Sequence, residues 1–164
     1  TAQAAKALGA KSVLITDLSD FRLGVARECG LEGRVNPGRE DLAAALIEHF
    51  GPDGADAILE CVGVEQTMEQ AIRLARKGTD IVVVGVFGKK PALDIGLVQD
   101  KELRLIGTLM YKAEDYRTAI DLVRTGRVNI KPLMTTHFPF ADYAKAYEYI
   151  EKNKDRIMKV FIDL

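Results

Sequence analysis

The chain has 164 residues, 48% hydrophobic and 29% charged, with a formal net charge of −1 at pH 7. This is ordinary globular composition, sufficient for one domain or for one domain and part of another. Near-neutral charge gives no basis for binding nucleic acid or an anionic membrane, and no apolar run approaches the ~20 residues needed to span a bilayer.

The first stretch, "TAQAAKALGA", is an alanine-rich helix already under way at residue 1, with Gly9 as its stop. With no cap in front of it, it reads as a chain cut inside a helix. In "KSVLITDLSDFRL" a short apolar strand, Val13–Thr16, ends on Asp17, and a helix follows from about Asp20 to Cys29, stopping at Gly30. "EGRVNPG" holds a very short strand at Arg34–Asn36 and a Pro37-Gly38 turn. "REDLAAALIEHF" is an amphipathic helix with Leu42, Ala45, Leu46, His49 and Phe50 on one stripe, ended by Gly51-Pro52.

"ADAILECVG" is a buried strand at Ala57–Val62. The next helix, "EQTMEQAIRLARKG", turns Met68, Ile72 and Ala75 inward and stops at Gly78. "TDIVVVGVFG" is the most hydrophobic strand, and its unbroken apolar run predicts burial on both faces. A polar turn, "GKKPALDI", leads to a short helix near Gly96–Lys101, then to the strand "LRLIGTL". "EDYRTAIDLVRTGRV" is a helix predicted to bury Tyr116, Ala119, Ile120 and Val123. "VNIKPLMTTHFPF" reads as irregular. "PFADYAKAYEYIEKN" is a helix with Tyr143, Ala146, Tyr147 and Ile150 on one core-facing side, and "IMKVFIDL" closes the chain as an isolated strand.

Strands alternating with helices of ten to fifteen residues predict a parallel sheet covered on both faces. Right-handed crossovers make that sheet doubly wound, an α/β class. The alternation weakens after about residue 110, so the last third is expected to be a different structural unit.

The chemistry-bearing positions lie at strand ends, where a doubly wound sheet opens into its ligand crevice. A carboxylate at Asp17 can accept two hydrogen bonds from the ribose of a dinucleotide and would repel a 2′-phosphate, favouring NAD over NADP. Arg22, five residues on, could lie across the adenine face. The alternative is that Asp17 or Asp20 caps the helix behind it. A ribose-binding acid normally follows a G-x-G-x-x-G loop by about 20 residues, yet only Gly9 precedes Asp17. In "ECVG", Gly63 lets the backbone turn beside a flat ligand. Cys61 could be a nucleophile, but no histidine is near it in sequence, and free cysteines are usually packed. In "VVVGVFG", backbone at Gly85 and Val86 could border a nicotinamide ring; the alternative is a plain turn. His49 and His137, the latter placed in a loop, have no carboxylate or cysteine at metal-ligand spacing. Cys29 and Cys61 lack C-x-x-C spacing and read as reduced thiols of a cytosolic protein.

With "VLITDLSDFRL", "ILECVG", "IVVVGVFG" and "RLIGTLMY" in this order, followed by "KPLMTTHFPF" and "MKVFIDL", the chain resembles the C-terminal part of a zinc-dependent medium-chain dehydrogenase. It is most similar to the sorbitol (L-iditol) dehydrogenase branch, over essentially its whole length. The resemblance implies a Rossmann-like NAD-binding domain at residues 1–110, without its first strand and glycine loop. Residues 111–164 would pack toward a GroES-like catalytic domain that carries the zinc.

Residue by residue, the resemblance makes Asp17 the ribose-binding acid and Arg22 the arginine beside the adenine. Cys61 and Gly63 fall beside the cofactor, and Val84, Gly85 and Val86 match the segment lining the nicotinamide. Thr108, Leu109 and Met110 match the strand end that meets the carboxamide. Tyr111 matches a substrate-binding tyrosine, whereas Met110 stands where the sorbitol enzymes have a substrate-binding arginine. A thioether cannot donate hydrogen bonds as a guanidinium does, which points away from sorbitol toward a related diol, polyol or amino alcohol. The implied activity is hydride transfer from such a small alcohol to NAD in a homo-oligomer. The residues alone leave two other readings open: a doubly wound S-adenosylmethionine enzyme, which also uses an acid after its second strand, and a non-enzymatic nucleotide-binding or interaction module. The absent first strand would leave two unpaired sheet edges, so the 164 residues alone are expected to be poorly stable.

Overall fold

The computed structural model describes residues 1–164, which form two compact units. One comprises Thr1 and residues 43–116; the other comprises residues 2–42 and 117–164. In chain order the elements are α1 (Ala2–Ala7), β1 (Leu14–Thr16), α2 (Asp20–Glu28), β2 (Gly33–Val35), α3 (Leu42–Phe50), β3 (Ala57–Glu60), α4 (Glu65–Leu74), β4 (Asp80–Val83), α5 (Ile95–Asp100), β5 (Arg104–Gly107), α6 (Ala113–Arg124), β6 (Met134–Pro139), α7 (Tyr143–Lys152) and β7 (Lys159–Asp163). No helix is long and apolar enough to cross a membrane.

The first unit is organised by a three-stranded parallel sheet in the order β3-β4-β5. Ile81 of β4 is fully buried against Met68, Ala71 and Ile72 of α4, with Ala75 and Leu103 completing the cluster. Met68, Ile72 and Ala75 are the predicted inward positions of this helix. Burial on both faces of β4 is not reached: Val82 and Val83 are only half-buried. The α4 helix ends at Leu74, four residues before Gly78, and its last carbonyls are held from outside the helix. Lys101 Nζ donates to the carbonyls of Arg73 and Ala75 at 2.6 and 2.8 Å and of Ile72 at 3.3 Å. A cation there answers both the orphan carbonyls and the negative end of the helix dipole.

The second unit holds two parallel pairs, β1-β2 and β6-β7. Its buried residues include Leu23, Val25 and Ala26 of α2, Leu31, Val35, Leu122, Ala146 and Ile157. Here the sequence reading needs three corrections. The "VNIKPLMTTHFPF" stretch is not irregular throughout: after a 3-10 turn at Lys131–Leu133 it forms β6, which pairs with β7, so the closing strand is not isolated and His137 lies in a strand. On α6, Leu122 is the buried residue, while Tyr116, Ala119, Ile120 and Val123 are exposed. On α7, Ala146 is buried and Tyr149 and Ile150 half-buried, while Tyr143 and Tyr147 are exposed. Both helices are amphipathic, but the stripe that packs is chosen by a partner element, not by the helix itself.

Candidate functional site

Because β3, β4 and β5 run parallel, their C-terminal residues form one row, with Glu60 opposite Val83 and Val83 opposite Gly107. Beyond this row lie the segments the sequence singled out: Cys61–Gly63, Val84–Val86 and Thr108–Tyr111. The amides of Val84 and Gly85 both donate to the Glu60 carbonyl, at 2.8 and 2.9 Å, and the Thr108 amide donates to the Val83 carbonyl at 3.2 Å. These bonds carry the sheet ladder one step past the strands.

At this edge two glycines let backbone meet backbone. Gly63 has φ +79°, and a Cβ on it would stand 2.5 Å from the Val86 carbonyl oxygen. A Cβ on Gly85 would stand 2.6 Å from Glu60 Oε2 and nearer still to the Gly63 amide nitrogen. Neither position tolerates a side chain without displacing main chain. Gly63, Gly85 and Val86 are thereby brought together, and the Val86 side chain points to solvent, 80% exposed.

Sequence reasoning passed over Glu60, which turns out to be the hub of this crossing. It is only 4% exposed. Its Oε1 accepts from the amides of Val62 and Gly63, both at 2.9 Å, and from the Thr67 hydroxyl at 2.8 Å. Its Oε2 is buried with no hydrogen-bond partner. The available signal was an acid ending an apolar strand in an "ECVG" turn, since acids are almost never buried without a compensating role.

The other predicted positions of this unit are open. Cys61 is exposed rather than packed, because β3 ends at Glu60 and Cys61 falls just beyond the strand. Its sulfur faces the Leu59 carbonyl at 3.5 Å and the Thr1 hydroxyl at 3.6 Å. Val84, Thr108, Leu109, Met110 and Tyr111 are exposed. Met110 sits at φ +62°, an uncommon conformation for a residue with a side chain. The Tyr111 ring packs edge-on against Tyr116, with centroids 5.1 Å apart.

In the second unit Asp17 directly follows β1. Its amide donates to the Val35 carbonyl at 3.3 Å, continuing the β1-β2 ladder. Its Oδ1 accepts from the Ser19 amide at 2.8 Å, and Oδ2 lies 3.7 Å from Arg22 Nη1. The cap of α2 is Ser19, whose hydroxyl accepts from the Arg22 amide at 3.3 Å, so neither Asp17 nor Asp20 spends its carboxylate on that role. Asp20 instead binds Arg39 at 2.7 Å and the side-chain amide of buried Asn36 at 2.7 Å. Arg22 Nη2 donates to the Lys154 carbonyl at 2.7 Å, and the Ser19 hydroxyl to the Asp155 carbonyl at 2.8 Å. A cavity of about 300 Å³ in this unit, lined by Lys6, Cys29 and Arg127 among others, involves none of these residues. Burial, and secondarily the charge of Glu28, pushes the Cys29 thiol above its usual range.

No three His, Cys, Asp or Glu side chains come together as a metal site. His49 lies in α3, and His137 pairs through Nδ1 with Asp163 Oδ1 at 2.9 Å and stacks on Phe161.

The pairs β1-β2, β3-β4 and β4-β5 are all parallel. Parallel strands joined through helices, an acid after β1 and glycines crossing after β3 and β4 place the chain in the class of Rossmann-like α/β domains. Within that class the chain belongs to the zinc-binding dehydrogenase family, whose model matches residues 1–125. Sorbitol dehydrogenase 1 of Saccharomyces cerevisiae is 34% identical over 168 aligned residues, covering 99% of this chain and 47% of the relative. An Escherichia coli oxidoreductase/dehydrogenase of unknown specificity superposes with a TM-score of 0.90 at 27% identity, over 99% of this chain and 47% of that one. A zinc-binding dehydrogenase of Sinorhizobium meliloti, solved bound to NADP, gives 0.79 at 29% identity, over 89% of this chain and 44% of that one. The chain thus spans about half the length of the curated relatives it matches.

Proposed function

We propose that this chain is the cofactor-holding part of an NAD-dependent, zinc-using dehydrogenase that oxidises a secondary alcohol or polyol. In this reading residues 1–110 hold the nucleotide, and residues 111–164 pack toward a catalytic part of the kind its longer relatives have room for. The observation that carries it is the crossing of Gly63 and Gly85, where a Cβ on either residue would strike main chain or a buried carboxylate. Two close-packed turns at the C-terminal ends of parallel strands offer a flat backbone wall for a planar ring. The residues fit a dinucleotide: Val84, Gly85 and Val86 would line its nicotinamide face, with Cys61 and Gly63 beside them and Thr108, Leu109 and Met110 at the carboxamide. When bound, the nicotinamide supplies hydride acceptance. Zinc finds no ligand set among these residues, and no part of the chemistry assigned to this chain runs through it.

Asp17 supports NAD as the nucleotide. Its carboxylate is free of capping duty and partly exposed, suited to two ribose hydroxyls and repulsive to a 2′-phosphate. The Sinorhizobium meliloti relative bound to NADP makes this a discriminating point. Arg22, anchored by Asp17 and the Lys154 carbonyl, would present its guanidinium plane to the adenine. Exposed Tyr111 would touch substrate, and Met110 gives the substrate side an apolar contact where a polyol enzyme would use a cation.

The test is nucleotide preference in the protein as encoded by its gene. Wild type is expected to use NAD well ahead of NADP, with turnover of diols, polyols or amino alcohols. Asp17→Ala should weaken NAD by about tenfold or more and narrow the preference, as loss of charge-assisted hydrogen bonds to the ribose requires. A protein that binds no dinucleotide, or an Asp17→Ala variant with unchanged preference, would overturn the assignment.

A further inference from the structure

Glu60 is paired in a way its structural duties do not explain. Three donors converge on Oε1, none of them charged, and Oε2 is buried without a partner. A glutamine in the same place could accept the same three bonds through its carbonyl oxygen. The extra feature of the acid is its charge, which burial makes costly when no cation answers it. A buried polar atom left without a partner calls for a physical reason.

Its position supplies one. Gly85 stands so close to Oε2 that no side chain fits between them. On its other side Glu60 fixes Gly63, which lies against the Val86 carbonyl. Only main chain therefore separates the carboxylate from the wall assigned to the nicotinamide ring. That ring is cationic in the oxidised cofactor and neutral in the reduced one. We propose that Glu60 is a positioning and specificity residue whose buried charge biases this crevice toward the oxidised, cationic nicotinamide over the reduced form. The proposal rests on the reading that the Gly63–Gly85–Val86 wall borders the nicotinamide.

The consequence is a change in the ratio of two affinities, which a purely structural role does not produce. Glu60→Gln keeps the acceptor for Val62, Gly63 and Thr67 and removes the charge. It should weaken NAD⁺ relative to NADH by about tenfold, the scale of one unit charge acting across a few ångströms of partly screened medium. Thr67→Val removes one bond to Oε1 and keeps the charge, so it should weaken both forms alike and leave their ratio as in wild type. A measurement on wild type alone covers the case in which Glu60→Gln fails to fold: NAD⁺ should bind about tenfold more tightly than its benzamide analogue, whose ring is similar in shape and uncharged.

Dissociation constants for NAD⁺, NADH and the benzamide analogue, measured by calorimetry and NADH fluorescence on the encoded protein, decide it. A lower preference for NAD⁺ in Glu60→Gln or, where that variant does not fold, the wild-type preference for the charged ring supports the proposal. Nucleotide binding with an unchanged NAD⁺/NADH ratio in Glu60→Gln overturns it and leaves the nucleotide reading standing, as does equal wild-type affinity for charged and uncharged rings. No binding of any of the three to wild type overturns both.

Discussion

Gly63 shows how much of a site can depend on an absent side chain. Its φ of +79° already disfavours any L-residue, and the Val86 carbonyl oxygen occupies the space a Cβ would need. Gly63→Ala therefore meets a strained backbone and a main-chain collision together. It is expected to cost about 2–4 kcal/mol, read as a lower denaturation midpoint with an unchanged m-value. The comparison is Gly24→Ala, in α2, where φ is ordinary and nothing lies within 4 Å of the added methyl; it should be neutral or stabilising. Equal effects at the two positions would refute the close approach. The same residues mark what the sequence made legible. Gly63, Gly85 and Asp17 stood out because a strand end in an α/β alternation is where ligands sit. Glu60 did not, because its role depends on Thr67, seven residues on, and on Gly85, twenty-five residues away. No local pattern reports that convergence.

At the scale of the element, periodicity located almost every helix and strand but could not say which stripe of a helix would find a partner. Where the neighbour is the adjoining strand, the inward face was right, as for Met68, Ile72 and Ala75 of α4 over β4. The half-buried stripe of α3 likewise falls on Leu42, Ala45, Leu46, His49 and Phe50. On α6 and α7 the apolar stripes of Tyr116 and Ile120 and of Tyr143 and Tyr147 are exposed, and packing uses Leu122 and Ala146. β6 was hidden because Pro132 and Pro139 frame it and its register shifts between Met134 and Thr136. Its β-branched "MTTHF" core was the signal, meaningful only once β7 supplies the ladder. Lys101 is a similar case: it reads as an ordinary surface lysine, yet it serves three carbonyls at the end of α4. Lys101→Met keeps the aliphatic stem and removes the donor. It should lower stability by about 1–3 kcal/mol, whereas Lys77→Met, at an exposed position, should change it by less than about 0.5 kcal/mol. Urea titrations of the two variants side by side check this; equal midpoints would exclude a capping role.

At the scale of the whole molecule, the chain divides its strands among three separate parallel sheets of two, three and two strands. A two-stranded sheet has an open edge on each strand, and in the three-stranded sheet β3 and β5 are both edges. Parallel sheets are ordinarily buried and continuous, so this much unpaired backbone is a liability that a longer chain or a second copy would remove. The β5 edge combines the most exposure with the least protection. All four of its residues are exposed, including Leu105 and Ile106, and the apolar Leu109, Met110 and Tyr111 follow it in the open. Arg104, paired with Asp80, is its only charged residue. The 164 residues on their own are therefore expected to self-associate, with apparent mass in light scattering rising with concentration. Ile106→Lys puts a charge in the middle of that edge, at a position already 41% exposed. It should suppress association while leaving the core of Met68, Ile72 and Ile81, and hence the thermal midpoint at low concentration, nearly unchanged. A wild-type chain that stays monomeric as concentration rises, or an Ile106→Lys variant that associates as strongly as wild type, would show that this edge is not where the chain seeks a partner.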